Sequence, residues 1–204
     1  STHCISSAAS DVYKRQHTEI VQGLLKHLKI PMSGVMAELT KKEVLFPARI
    51  IIIILSDMWR LGLTKESEEF LGEVLSVIQT IVSNLKDDDI IPHGAFWLSN
   101  THELYSFVSY AEMTIVENET ISSEMGEEEY QEYLKLVAVV KEDFDSLSFN
   151  IYNMWMRKME KELEKKVISA VVLSQSLPGF MTTDSAPLFS KMFSQNNQYK
   201  MDDI

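Results

Sequence analysis

The stretch Asp143 to Trp155, DFDSLSFNIYNMW, carries side chains able to bind a peptide, set at helical spacing. An α-helix advances about 100° per residue, so with Asp143 at zero, Leu147 falls near about +40°, Asn150 near −20°, Met154 near +20° and Asn153 near −80°. Phe144, Ile151 and Trp155 gather at roughly +80° to +120°. A greasy stripe and a mixed stripe therefore lie side by side. A face made only for water is more economically built from Glu, Lys, Arg or Gln, because asparagine costs roughly several tenths of a kcal/mol in a helix. Short amides and a carboxylate can exchange hydrogen bonds with a docked peptide, with an exposed Leu147 as the apolar anchor. Two other readings fit the same residues. They are polar positions that merely border a core, or asparagines bonded to neighbouring backbone in a helix buried on several sides.

Reaction chemistry finds no comparable foothold. The chain has no Gly-rich phosphate loop, no GxSxG elbow and no HExxH pair. Cys4 is the single cysteine. His17, His27, His93 and His102 do not pair at ligand spacing on one helix; His93 reads as a loop residue and His102 as a first-turn surface residue. The triplet Asp87-Asp88-Asp89 lacks the further ligands and spacing of a calcium loop, so it reads as a solvated turn. Asp57 and Glu103 form a carboxylate pair only if the fold brings them together, and nothing in the sequence requires that. Met58 and Met159 read as core fillers more than as parts of an adaptable groove. The expectation is a non-enzymatic module with no catalytic residues, no cofactor and no metal.

The elements that must hold the Asp143 stripe are helices. Seven glycines and five prolines in 204 residues are too few for a turn-rich β architecture. Ile20, Leu24, Leu25 and Leu28 mark a helix over His17 to Leu28. Another follows from about Phe46, with Pro47 in its first turn. Its run of isoleucines would by propensity suggest a strand. Met58, Trp59, Leu61 and Leu63 extend the pattern instead as a helix, and no partner strand appears nearby. Thr64 is expected to cap the next helix, whose stripe runs from Phe70 to Leu85. Lys86 to Gly94 reads as a loop, and Asn100 with Glu103 reads as a capping box opening a helix through Ile115. A polar connector contains Asn118, a chance glycosylation sequon. From about Glu127 the chain is helical to about Ser174, with room for a break, until Pro178 and Gly179 stop it. Met181 to Lys200 reads as a polar, mobile loop. The fold class is all-α, an elongated multi-helix bundle.

Bulk properties narrow the partners. A net charge of −11 offers no basic face to displace counterions from nucleic acid or to meet an anionic membrane. The apolar run Ile50 to Leu55 is far short of the ~20 residues a membrane span needs. Ser1 to Gln16 stands apart. Read back codon by codon, Ser6 to Gln16 resembles a widely used transposon sequencing adapter, so residues 1–16 are expected to be a disordered artefact and the native segment to start near His17. The ending YKMDDI has the look of a helix beginning, which marks 17–204 as an internal piece of a longer protein.

Four blocks then carry a resemblance: PARIIIIILSDMWRLGLTKESEEFL, FWLSNTHELYSF, DFDSLSFNIYNMW and SLPGF. In order and spacing they resemble the globular tail of class V myosins, most of all the fungal organelle-transport motors, over essentially all of His17 to Ile204. The resemblance implies the first subdomain of a two-subdomain helical tail, cut where the second, dilute-type half begins. It implies a cargo-binding module whose vacuolar and mitochondrial adaptors dock at Asp143, Leu147, Asn150 and Asn153. It further implies packing against the tail's second half, a self-inhibitory contact with the motor domain and a homodimer formed through an upstream coiled coil. The motor's ATPase would lie outside this piece, and the protein would act in the cytoplasm along actin cables and organelle surfaces. The alternative is an α-helical scaffold or tether without motor linkage.

Overall fold

The computed structural model describes residues 8, 11–17, 19–30, 39–117 and 126–176. Every regular element among them is helical, as expected. The chain divides into two compact units, Ser1–Met159 and Glu160–Ile204. The Asn118 sequon, the helix stop at Pro178 and the loop Met181 to Lys200 lie outside the described residues. So does most of the expected adapter segment. Residues 11–17 are helical, and Tyr13 lies half-buried against the core. Lysine, arginine and glutamine beside an apolar surface suffice for a helix whatever their origin.

In the first unit, a π-helical stretch Glu19–Leu25 buries Ile20, Val21 and Leu25. A short helix α1 (Lys41–Val44) opens with a capping box: the Thr40 hydroxyl accepts from the Glu43 N–H, and the Glu43 carboxylate accepts from the Thr40 N–H at 2.7 Å. The Thr40 hydroxyl also donates to the Glu43 carboxylate at 2.7 Å, and this bond, followed by the one from the Thr40 N–H, holds the Glu43 carboxyl below its usual range.

Helix α2 (Phe46–Arg60) settles the isoleucine run. Burial follows Ile51, Leu55 and Met58 at helical spacing, while Ile53 is 61% exposed. A Schellman motif ends α2: Leu63 N–H donates to Met58 O at 2.9 Å and Gly62 N–H to Trp59 O at 3.1 Å. Gly62 takes the required left-handed conformation, φ 70. Leu63 and Met58, both buried, supply the apolar contact of the motif.

Helix α3 (Thr64–Ser83) corrects the expected cap. Leu63 occupies the N-cap position and no side chain caps the helix; Thr64 is its first residue. The Schellman reversal forces this, because it draws Leu63 into the core. The Thr64 carbonyl instead accepts from the Ser67 hydroxyl, which in turn accepts from Trp59 Nε1 at 3.0 Å.

Helix α4 (Ile90–Glu117) starts ten residues before the expected box at Asn100. Asp87–Asp89 is a single 3₁₀ turn, and Pro92 sits where a missing N–H costs nothing. His93 is therefore helical, and His102 is exposed in mid-helix. Asp87 is not simply solvated either: its carboxylate lies 2.9 Å from Lys158 Nζ, whose side chain is largely buried. Asn100 is 1% exposed and works across helices. Its Oδ1 accepts from Ala48 N–H at 3.1 Å, and its Nδ2 donates to Val44 O at 2.9 Å and Phe96 O at 3.0 Å. The residue that looked like a cap for its own helix thus caps α2.

Helix α5 (Glu127–Ser176) runs unbroken for 50 residues. In the first unit it buries Val137, Phe144 and Ile151 and holds Trp155 half-buried, with Nε1 donating to Ile91 O at 3.0 Å. Tyr133 meets Trp59 edge-on, and burial pushes its phenol well above the usual range. In the second unit the same helix exposes Leu163, Val167, Ile168, Val171, Val172 and Leu173.

Candidate functional site

Helix α5 presents its two stripes much as the angles require. Phe144 and Ile151 face the core, while Asp143, Ser146 and Asn150 face out. Beside them α3 turns the side opposite Phe70, Val74 and Ile78 to the surface. Between the two helices lies a groove of about 440 Å³, walled by Gly72, Leu75, Ser76, Gln79 and Thr80 of α3 and by Asp143, Ser146, Leu147 and Asn150 of α5. Three of the four expected site residues meet there. Asn153, half-buried, is not part of the wall.

Leu147 departs from the expected exposed anchor, since it is 5% exposed and belongs to the core cluster. At the seam between the stripes it is covered by its neighbours and contributes the floor of the groove. The polar residues behave differently. Asp143, Asn150 and Asn153 make no side-chain hydrogen bond or ion pair among the described residues. Among the described residues, Asn150 and Asn153 are therefore not asparagines bonded to neighbouring backbone, unlike Asn100.

The groove continues toward the N-terminal end of α3. A second concavity of about 610 Å³ shares Gly72, Leu75 and Asp143 with the first and extends past Glu68, Lys65, Lys135 and Val139. The α3 contribution was missed from sequence. Its signal was present in the exposed positions 65, 68, 72, 76, 79 and 80, a stripe at helical spacing opposite the apolar one. Another side of α5 forms a concavity of about 700 Å³ with Val44, Leu98 and His102, where Phe149 and Tyr152 are exposed. No group of His, Cys, Asp or Glu among the described residues could hold a metal ion. None of the described helices is long and apolar enough to cross a membrane.

Open grooves with an apolar floor and polar walls, where Asp143 and Asn150 make no side-chain bond among the described residues, fit an all-helical binding module. No family model matches the chain. Over 191 residues, 94% of its length, it is 61% identical to Myosin-2 of Lachancea kluyveri. Over 186 residues, 91% of its length, it is 52% identical to Myosin-2 of Saccharomyces cerevisiae. The solved structure of Myo2-GTD in complex with Mmr1 matches with a TM-score of 0.74 at 52% identity, covering 83% of this chain and 44% of that one. Apo Myo2-GTD matches at 0.70 and 48% identity, covering 88% and 46%. The chain belongs to the class V myosins, in their globular-tail, cargo-binding part. It spans 12% of the length of these curated relatives and less than half of the solved tails.

Proposed function

We propose that this chain is the first-subdomain part of a class V myosin globular tail and that it docks cargo adaptors in the α3–α5 groove. The observation that carries the reading is the set of Asp143, Asn150 and Gln79 around a floor of Leu147 and Leu75, with the polar groups of Asp143 and Asn150 unbonded among the described residues. Relatives of the same family have been solved with Mmr1, Inp2 and Smy1 bound to their tails, which supports an adaptor as the occupant. In the whole protein an upstream motor would hydrolyse ATP on actin and a coiled coil would pair two tails. This part would then couple vacuolar, mitochondrial or vesicle cargo to that motion in the cytoplasm. Nothing in its own chemistry calls for a cofactor.

The test is the double substitution Asp143→Lys with Asn150→Ala, assayed for capture of a purified Mmr1 fragment. Leu147 is left intact, because truncating a buried leucine costs about 2–5 kcal/mol and would confuse folding with binding. Affinity should fall at least roughly tenfold, the loss of about 1.4 kcal/mol, with helicity and melting unchanged. Undiminished capture would place the adaptor site elsewhere.

A further inference from the structure

Gly72 lies inside α3, where glycine lowers helix stability relative to alanine. Nothing within the described chain asks for it. A Cβ built there meets no atom within 4 Å, whereas at Gly94 it would lie 3.2 Å from the Trp155 ring. Gly72 instead sits at the junction of the two α3–α5 grooves, sharing that place with Leu75 and Asp143.

We propose that the two grooves form one docking track, and that a net-basic segment of the adaptor runs along α3, its backbone crossing from one groove into the other in close approach at Gly72. The inference rests on the adaptor reading above and adds the length, the charge and the crossing point. From Thr64 to Thr80 the track runs about 24 Å along α3, enough for roughly seven extended residues. A slender segment fits such a track better than a globular face does. Its walls hold the carboxylates of Glu68, Glu132 and Asp143 against the amines of Lys65 and Lys135. Asp143, at the crossing, has no ion-pair partner among the described residues and is left for a basic residue of the segment. A second copy of this chain, also at net charge −11, is disfavoured by repulsion.

The test uses the full chain and a fluorescent Mmr1 fragment as the probe. Gly72→Ala should raise the melting temperature by about 1–4 °C while weakening binding roughly threefold or more. Gly72→Leu should weaken it more than about tenfold. Gly23→Ala, at another helical glycine whose added Cβ meets nothing within 4 Å, should leave binding unchanged. Full binding by both Gly72 variants, with Asp143→Lys defective, would overturn the crossing point and leave the adaptor reading standing. If Asp143→Lys also binds fully, the adaptor reading falls as well. Weakening by Gly23→Ala, or a concentration-dependent dimer that Gly72→Leu dissociates, would equally overturn the proposal.

Discussion

Replacing Asn100 with alanine tests whether a side chain on one helix caps another. The substitution removes three hydrogen bonds from a site that is 1% exposed. Phe96 O is the least affected, because it lies four residues back on the same helix and keeps its backbone partner. Ala48 N–H is different. It belongs to the first turn of α2, where amides have no partner within their own helix, and Ala48 is fully buried. Val44 O loses its donor at the same time. Stranding the buried Ala48 N–H costs about 1–3 kcal/mol, and the half-buried Val44 O adds to it, so the expected loss is about 3 kcal/mol. For a chain of this size that lowers Tm by roughly 6–12 °C. Circular dichroism melts and urea titrations should agree, with an unchanged m-value. Asn100→Asp keeps the acceptor for Ala48 but sets a second oxygen against Val44 O, so it should not rescue. A Tm within about 2 °C of the parent for Asn100→Ala would refute the account of how the α1–α2 junction is held.

Two further outcomes follow from packing. Gly94→Val drives a branched side chain toward the Trp155 ring, 3.2 Å from the added Cβ, and should break the Trp155–Ile91 hydrogen bond. A destabilisation of about 1–3 kcal/mol with red-shifted tryptophan emission is expected. In the second unit, the exposed residues around Val167 and Ile168 should make the isolated chain self-associate. Val167→Glu with Ile168→Lys should reduce light scattering at unchanged helicity.

Periodic positions were readable because burial in a helix repeats at a fixed spacing. Ile51, Leu55 and Met58 make the isoleucine run helical, and Phe144 and Ile151 fixed the core side of α5 in advance. What failed depends on partners distant in sequence. Asn100 followed by Glu103 satisfies a local capping pattern, yet two of its three side-chain hydrogen bonds go to residues more than 50 positions away. Leu147 sat at the boundary of two stripes, and only the packing of α3 decides which side of that boundary is covered. Half of the candidate groove belongs to α3, whose Gly72 and Gln79 say little until α5 lies beside them. Asp143, Asn150 and Asn153 were chosen from one helix, and one helix makes only one wall.

The Schellman reversal at Gly62 also orders events in time. Leu61 to Leu63 alone separate α2 from α3, so their pairing closes a very short loop at small entropic cost and can form early. The cap that Asn100 supplies to α2 must await a helix some 50 residues downstream. The turn is thus expected to form as a local nucleus, with the Asn100 amide latching afterwards. In a ribosome-bound chain the α2–α3 hairpin would stand ready before α4 has been synthesised, its first turn still frayed at Ala48.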